Sequence, residues 1–253
     1  MPLRLDDVTR YVEEHIGEFH GKRLASFESL KLENLLLRKN PYLFRAKHLV
    51  IPQELVRSLL DAHLSSQEET IFGDFLEDLA IHINGICYGG RKSSTEGIDL
   101  EFAREKIRHI VSIKSGPNWG NAGQIKKMKD NFRTAAKILR QRDKTVQVVA
   151  VNGCCYGRDG KPDKGDYYKY CGQQFWQFIS GNADLYTQIV EPLGHRARER
   201  NDDFLGRYSD VWEKFTAEFK LSFCVGGKVQ WDKIVELNSS IEKPKRATGE
   251  TKK

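Results

Sequence analysis

Two stretches of alternating apolar and polar residues, joined by a short charged connection, constrain the fold of this chain most strongly. The stretches occupy residues 98–102 and 110–114, and the charged connection occupies residues 104–106. Alternation with a period of two is typical of β-strands, because successive side chains of a strand point to opposite faces. The pattern therefore predicts a β-hairpin with one face packed into a core and the other face polar.

The polar face of this hairpin carries side chains that suit phosphate chemistry. Asp99 and Glu101 share a face on the first strand, and Ser112 and Lys114 share a face on the second. Carboxylates bind hard cations such as Mg²⁺, which clamps a phosphate and lowers the pKa of its bound water. A neighbouring lysine can orient that water and offset the charge that develops on the phosphate. Spacing alone leaves two interpretations open, a phosphodiester-cleaving site and a hairpin with a solvated charged face.

An aspartate, a short connection and a strand that ends in Ser112, Ile113 and Lys114 resemble the PD-(D/E)XK nuclease superfamily. Within it, further short segments resemble the branch of type II restriction endonucleases related to the RGGNCCY-cutting enzyme. The resemblance extends from residue 40 to residue 238. The segments that carry it are Asn40–Pro41–Tyr42, Phe44, Phe72–Gly73, Glu77–Asp78, Ser115–Gly116, Trp119, Gln124, Tyr156–Gly157, Phe175–Trp176, Ile179–Ser180–Gly181 and Gln230–Trp231.

This resemblance implies an α/β fold, with a mixed sheet as the restriction-endonuclease-like core, flanking helices, and helical additions at both ends. It also implies a type II restriction endonuclease that makes Mg²⁺-dependent, site-specific double-strand cuts in DNA and leaves 5′-phosphate and 3′-hydroxyl ends. Asp99 would bind Mg²⁺, the carbonyl oxygen of Ile113 would add a ligand, and Lys114 would position the attacking water. A prokaryotic cytoplasm and a cognate DNA methyltransferase in the same system follow from the same resemblance.

Two departures from the superfamily pattern concern the acids of the site. Ile98 precedes Asp99 where proline is usual, and Ser112 stands where the superfamily usually has Asp or Glu. Because a hydroxyl is a poor metal ligand, a second carboxylate is expected from elsewhere. Glu77 is preferred, since a helix before the hairpin often contributes an acid in such nucleases. Glu101 is the second candidate, and a site with Asp99 alone and one metal ion stays open.

Two glycine-rich loops are candidate DNA-binding segments. Residues 115–123 follow Lys114 directly and open a helix whose early lysines oppose the helix dipole, so a nearby phosphate would compensate their charge. Residues 153–165 form the candidate base-reading loop, with an ordinary hydrated loop as the alternative. Gln124 serves either as a hydrogen-bond partner behind the active site or as a helix-start residue, and Trp119 either stacks or packs. The candidate DNA-binding residues are Asn118, Trp119, Asn121, Gln124, Lys126, Lys127, Arg158, Lys161 and Lys164.

The spacing of apolar residues predicts the elements around the hairpin. Residues 6–39 form a helical arm, Pro52 starts a helix that runs through Leu64, and a separately capped helix starts at Ser65. A helix over residues 123–142 and an apolar, β-branched run at 146–151 predict a crossover, which makes the strands on its two sides parallel. A further strand is expected at 167–170, and helices are expected at 172–180, 184–200, 203–223 and 231–237.

We expect four segments along the chain. Residues 1–64 form an N-terminal helical arm and dimerisation region, 65–182 the nuclease core, 183–242 the C-terminal helices, and 243–253 a disordered basic tail. A palindromic DNA site is matched most simply by a homodimer, so the long apolar helices of the first and third segments are the expected dimer surfaces.

Composition fits a soluble protein with a polyanionic partner. Lys and Arg outnumber Asp and Glu by 41 to 35 in 253 residues, and the net charge of +6 suits double-stranded DNA. Five cysteines without a CxxC pair predict neither a disulfide framework nor a zinc site, and reduced thiols fit a cytoplasmic protein. No apolar signal core or membrane-length run is present, so no membrane partner is expected.

Two other functions share parts of this pattern. A repair or nicking nuclease of the same superfamily would use the same site to cut one strand or a damaged structure. A catalytically inactive DNA-binding module would explain Ser112 without requiring another acid. Cleavage with Mg²⁺ separates the three: double-strand cuts, nicks, or no cleavage at all.

Overall fold

The computed structural model describes residues 3–241. This part of the chain contains a set of long and short helices and two β-sheets. The helices are α1 (Leu5–Glu28), α2 (Leu32–Arg38), α3 (Pro41–Ala46), α4 (Pro52–Tyr88), α5 (Ala122–Arg142), α6 (Gln173–Ser180), α7 (Leu185–Gln188), α8 (Val190–Leu193), α9 (Ala197–Phe223) and α10 (Trp231–Ser239). The strands are β1 (Arg91–Lys92), β2 (Leu100–Arg104), β3 (Ile107–Lys114), β4 (Gln147–Cys154), β5 (Tyr168–Cys171), β6 (Cys224–Val225) and β7 (Lys228–Val229).

The main sheet has five strands in the order β1-β2-β3-β4-β5. The first three strands pair antiparallel, whereas β3, β4 and β5 run parallel. The helix α5 connects β3 to β4, which confirms the predicted crossover and the predicted hairpin on its N-terminal side. A mixed sheet with helices on both faces and helical additions confirms the predicted α/β fold.

The described chain divides into two compact units, and each unit combines two separate stretches of sequence. One contains the described residues up to His20 together with Glu69–Arg198, and this unit holds the five-stranded sheet. The other contains Gly21–Glu68 together with the described residues from Glu199 onward. The expected four segments follow chain order, whereas each compact unit joins distant parts of the chain.

Helices cover both faces of the five-stranded sheet. On one face, Leu100 and Val111 pack in a cluster that includes Leu79 of α4. On the other face, Ile110 packs against Met128 and Phe132 of α5. The polar side chains within the central strands, among them His109, Ser112 and Asn152, are therefore buried.

The prediction of a hairpin with one packed face and one open face is wrong for β3. Residues 109–113 are all buried, and Ser112 is only 3% exposed. The reason is the crossover helix, which lies on the face that was expected to be polar. The packing also differs at the start of the hairpin, because Ile98 lies in the α5 cluster and not with Leu100.

The second unit is helical apart from the short β6–β7 hairpin. Its core is a cluster of buried apolar residues from α1, α2, α4, α9 and α10, among them Phe27, Leu35, Leu60, Phe219 and Ile234. Two hydrogen bonds join helices at the surface of this unit. The Tyr208 hydroxyl of α9 donates to Asp61 of α4 at 2.7 Å, and the Asn238 amide of α10 donates to the Leu36 carbonyl of α2 at 2.8 Å.

Two predicted helix boundaries are wrong. A break at Ser65 was expected, but α4 continues through it as one helix of 37 residues. Serine costs a helix only a few tenths of a kcal/mol relative to good helix formers, and no Gly or Pro stands there to stop it. The predicted helix over 184–200 is instead the two short helices α7 and α8, and α9 begins only at Ala197. Pro192 and the positive φ of Arg196 (51°) mark the interruption. The predicted disordered tail at 243–253 lies outside the described residues.

Candidate active site

Asp99 lies immediately before β2, opposite Ser112 of β3. The backbone N–H of Asp99 donates to the Val111 carbonyl at 2.8 Å, which holds the residue at the sheet. Its carboxylate atom Oδ2 accepts the N–H of Ile113 at 2.6 Å and lies 3.4 Å from the Ser112 hydroxyl. Hydrogen bonds from the strand therefore fix the orientation of this carboxylate.

Lys114 is the last residue of β3, and its ammonium group lies beside Asp99. Nζ donates to the Ile113 carbonyl at 2.7 Å and lies 3.6 Å from Asp99 Oδ2. The same atom is 5.7 Å from the centre of the Trp119 ring, within the range of a cation–π contact. The structure thus brings together Asp99, Ser112 and Lys114, as the hairpin register predicts.

Glu77 reaches this end of the sheet from α4. Burial and then the negative charge of Asp99 raise the pKa of the Glu77 carboxyl, so the two acids are close enough to repel each other. Burial raises the pKa of the Cys155 thiol to about 12, with a further contribution from Glu77 that Lys114 opposes. The Glu77 carboxylate and the Lys114 ammonium therefore act with opposite signs on the pKa of the same buried thiol.

Lys92 of β1 faces the acids of α4 and was not among the predicted site residues. Its Nζ lies 3.5 Å from Glu77 and 3.5 Å from Asp78. Burial lowers the pKa of Lys92, but Asp78 and Glu77 outweigh it and raise the pKa overall. Lys92 therefore stays positively charged and partly neutralises Glu77.

Glu101, the other candidate acid, has a different environment. It pairs with Ile110 in the β2–β3 register, and its carboxylate accepts a hydrogen bond from the Ser93 hydroxyl. Within residues 3–241, its carboxylate makes no ion pair with a basic side chain. Glu101 lies beside the loop that precedes β2, whereas Glu77 is affected by the negative charge of Asp99.

The oxygen atoms at this end of the sheet supply some of the ligands that a hard divalent cation needs. Oδ1 of Asp99 accepts no hydrogen bond from the described residues, and Glu77 adds a second carboxylate. The described residues contain no group of three or more His, Cys, Asp and Glu side chains that could hold a metal. Mg²⁺ sites that act on phosphates commonly use only one or two carboxylates, with waters and substrate oxygens as the other ligands. The Asp99 and Glu77 pair fits that pattern.

Asn152, a buried asparagine that the sequence patterns did not single out, supports the site from β4. Its amide donates to the Ser112 carbonyl at 3.1 Å, and its Oδ1 accepts the Trp119 indole N–H at 3.0 Å. Asn152 is 1% exposed; its hydrogen bond to Ser112 is buried, and its hydrogen bond to Trp119 is partly buried. An asparagine directly after the apolar run at 146–151 was the sequence signal that could have identified it.

The loop after Lys114 contains several predicted DNA-binding residues. Asn121 and Gln124 form a reciprocal capping box at the start of α5, with hydrogen bonds of 2.9 and 3.0 Å. Their side chains are therefore engaged in starting the helix, and Trp119 is engaged with Asn152. Asn118, Lys126 and Lys127 are exposed, although Lys127 lies 3.4 Å from Glu96 in a solvent-exposed ion pair.

The predicted base-reading loop is tied to β5 and to the loop after Lys114. The Asp159 carboxylate accepts a hydrogen bond from the Lys164 ammonium at 2.9 Å and lies 3.7 Å from the Lys169 ammonium. Lys169, which was not predicted, also donates to the Pro117 carbonyl at 2.9 Å. Arg158 and Lys161 remain exposed, and Arg158 lines a cavity of about 670 Å³.

The five cysteines are all free, as the sequence predicts. Burial raises the pKa of Cys154 and of Cys155, so both thiols stay protonated and behave as small apolar core residues. Within residues 3–241, no helix is both long enough and apolar enough to cross a membrane.

The fold is a mixed β-sheet with helices on both faces, and Asp, Glu and Lys side chains gather at one end of its central strands. This arrangement defines a restriction-endonuclease-like fold. A family model described as "Type II restriction endonuclease EcoO109I" matches residues 6–201. The chain belongs to this family of restriction endonucleases and is a nuclease whose substrate is DNA. No curated protein matches the chain in a sequence search.

Proposed function

We propose that the chain makes Mg²⁺-dependent, site-specific double-strand cuts in DNA and leaves 5′-phosphate and 3′-hydroxyl ends. The observation that carries this proposal is the position of Lys114 Nζ, 3.6 Å from a carboxylate oxygen of Asp99 that the β3 backbone holds in place. The family match supports the class of enzyme, and this geometry supports the residues of the PD-(D/E)XK type.

Asp99 and Glu77 would hold Mg²⁺, with the Ile113 carbonyl oxygen as a further ligand. The bound ion would supply Lewis acidity toward the phosphate and lower the pKa of a bound water. The Ile113 carbonyl accepts the Lys114 ammonium at 2.7 Å, so it would bind the ion with its second lone pair or release the lysine. The arrangement supports Glu77 more strongly than Glu101 as the acid that replaces the one missing at Ser112.

Lys114 would orient the attacking water and stabilise the negative charge that develops on the phosphate in the transition state. The water would lose a proton to the solvent or to a phosphate oxygen as it attacks phosphorus in line. The bond from phosphorus to the 3′ oxygen would break, and that oxygen would take a proton from the solvent to become the 3′-hydroxyl. Ser112 acts as a positioning residue, because its hydroxyl points at Asp99 Oδ2 from a buried position and cannot reach a substrate.

The exposed polar side chains of the two loops would contact the DNA. Arg158 and Lys161 are free to reach base edges or phosphates. Asn118 lies in the loop that follows Lys114, and Lys126 and Lys127 lie at the start of α5. Trp119, Asn121 and Gln124 would act through the shape of that loop, since their side chains bond within the protein. Lys164 would act in the same way through Asp159.

A homodimer would present one active site to each strand of a palindromic target, and a cognate methyltransferase would protect the host DNA. Sedimentation velocity of the protein with and without duplex DNA tests the dimer. A two-fold complex is expected, and a monomer in both conditions would contradict it.

The test of the function is digestion of sequenced plasmid and phage DNA with Mg²⁺, followed by sequencing of the fragment ends. Discrete fragments with 5′-phosphates are expected from the wild type and not from Lys114→Ala. Lys233→Ala, at an exposed position of α10, is the matched control. Nicked plasmid alone would favour a nicking or repair nuclease, and DNA binding without cleavage would favour an inactive binding module.

A further inference from the structure

The helix α5 carries a long basic stripe in addition to the two lysines near the active site. Among the charged residues of α5, only Asp130 is acidic. The basic residues recur three or four positions apart, which places them on one side of a helix. This stripe comprises Lys129, Arg133, Lys137 and Arg140, and Lys144 continues it after the helix ends.

The stripe forms one wall of a cavity of about 510 Å³. The cavity has an apolar floor made by residues of α5 and β4, including Phe132, Ala136, Val148 and Ala150. Its only acidic lining residue is Asp166. A concave surface with basic walls and one acid concentrates positive potential and attracts a polyanion.

Three cations of this groove are available to a ligand. Asp166 pairs with Lys129 at 3.4 Å and with Arg133 at 3.3 Å. In contrast, no carboxylate of the described residues lies within salt-bridge distance of Lys137, Arg140 or Lys144, and all three are exposed. Leaving three neighbouring cations unpaired costs little in water, but it offers phosphate contacts to a ligand.

The groove lies on the same face of the sheet as Ser112 but at the opposite end of the strands. Ile110, two residues before Ser112, packs under α5, and Val148 lines the groove. Val148 is six residues before Cys154, the register partner of Lys114, so about 20 Å of strand separate the groove from the active site. At 3.4 Å per base pair, that distance corresponds to about six base pairs of duplex.

We propose that this groove binds the sugar–phosphate backbone of the duplex DNA that flanks the cleavage site. The inference rests on the proposed function in one respect, namely that duplex DNA is the ligand of the active site on the same face. Lys137, Arg140 and Lys144 contact phosphates, and Asp166 limits the affinity by neutralising Lys129 and, together with Asp130, Arg133. The contacts carry no base sequence information, so they strengthen binding to cognate and non-cognate DNA alike.

The test is the salt dependence of duplex binding, measured by fluorescence anisotropy in EDTA so that no cleavage occurs. In the triple variant Lys137→Gln, Arg140→Gln, Lys144→Gln, the slope of log K against log salt should become shallower by about 0.9 for each phosphate that is no longer neutralised, between two and three in all. The charge-conserving variant Lys137→Arg, Lys144→Arg is the matched control and should keep the wild-type slope. An unchanged slope in the triple variant overturns the proposal.

Asp166→Asn provides a second test, which makes the groove more positive instead of less. This change frees Lys129 and leaves Arg133 with only its ion pair to Asp130 at 3.1 Å, so it should tighten duplex binding and steepen the salt slope. A purely structural role for Asp166 would weaken binding or leave it unaltered, and either result would count against the groove.

Duplex length separates this inference from the proposed function. Wild-type affinity should rise when the DNA is extended from about six to about fifteen base pairs on either side of the site, and the affinity of the triple variant should rise less on the same extension. An equal rise in both proteins would overturn the groove. These measurements need no catalysis, whereas the digestion experiment with Lys114→Ala tests the active site and is independent of the groove.

Discussion

The backbone N–H of Ile113 donates a hydrogen bond of 2.6 Å to Oδ2 of Asp99. A hydrogen bond to an ionised carboxylate is short and strong, and this one joins the residue before β2 to the strand that carries Lys114. It fixes one carboxylate oxygen against the sheet and leaves Oδ1 without a hydrogen bond from the described residues. The hairpin therefore fixes the orientation of the carboxylate that we propose as a Mg²⁺ ligand.

The first prediction concerns the second acid of the site. Glu77→Gln should lower the cleavage rate at saturating Mg²⁺ by at least about 100-fold, because it removes one of the two negative charges that would hold the ion. Glu101→Gln is the matched comparison and should stay within about threefold, since Glu101 bonds to Ser93 away from Lys114. Single-turnover cleavage of a duplex with the determined site measures both rates. The opposite ranking would assign the second acid to Glu101.

The second prediction concerns Ser112, which stands where the resemblance to the PD-(D/E)XK pattern predicts an acid. Its hydroxyl lies 3.4 Å from Asp99 Oδ2, which is long for a hydrogen bond between oxygen atoms. Ser112→Ala should therefore lower the cleavage rate by less than about tenfold. Loss of activity comparable to that of Lys114→Ala would show that the hydroxyl itself takes part in the chemistry. Circular dichroism at the assay temperature serves as the control for folding, because Ser112 is buried.

The third prediction concerns the buried link from Asn152 to Trp119 and the Ser112 carbonyl. Asn152→Leu removes both hydrogen bonds and leaves the buried Ser112 carbonyl and the partly buried Trp119 indole N–H without this partner, so it should lower the free energy of unfolding by about 2–4 kcal/mol. Trp119→Phe keeps most of the ring and removes only the indole N–H. Chemical denaturation of both single variants and of the double variant should show non-additive destabilisation, and strict additivity would mean that the two side chains do not depend on each other.

The fourth prediction concerns the pH dependence of stability through His109. Burial and then the charge of Arg104 lower the pKa of this imidazole to about 4, and the ring stacks 4.7 Å from Phe102. An unfolded histidine has a pKa near 6.5, so the unfolded chain binds more protons between pH 6.5 and pH 4. The stability that neutral His109 contributes is therefore present above pH 6.5 and is lost as the pH falls toward 4.

The variant His109→Phe keeps the aromatic packing and removes this titration. On lowering the pH from 7.5 to 4.5, the wild type should lose about 2 kcal/mol more unfolding free energy than the variant. The other acidic and histidine groups are common to both proteins, so their contributions cancel in the difference. Parallel pH profiles for the two proteins in urea denaturation would contradict the buried, neutral state of His109.

The fifth prediction concerns Lys169, which joins the candidate base-reading loop to the loop after Lys114. Lys169→Met keeps the length of the side chain but removes the hydrogen bond to the Pro117 carbonyl and the ion pair with Asp159. The ratio of cognate to single-mismatch cleavage should fall about tenfold in this variant, because the two loops no longer hold one another in place. Lys169→Arg keeps the charge and should restore most of the ratio. An equal fall in both variants would indicate a packing role only.

Local sequence patterns predicted the parts of the fold that depend on neighbouring residues. Alternation over 98–102 and 110–114 identified the hairpin, and a helix followed by an apolar run identified the crossover and the parallel β3–β4 pair. The same alternation placed Asp99 near Ser112 and Lys114, because strand register follows from the side-chain period. These features depend on backbone geometry that repeats every two or four residues, so they can be predicted from the periodicity of the sequence.

Other features required the tertiary structure. The charge of Asp99 acts on Glu77 only because α4 packs on the sheet, and α5 buries Ser112 on a face that alternation predicted to be open. Asn152, Lys92 and Lys169 serve the site through partners that are 15 to 52 residues away in sequence. Packing between distant segments decides these contacts, and no local period encodes it. The sequence by itself determined the hairpin, the crossover and the Asp99–Lys114 pair, while the tertiary structure decided which other side chains surround that pair.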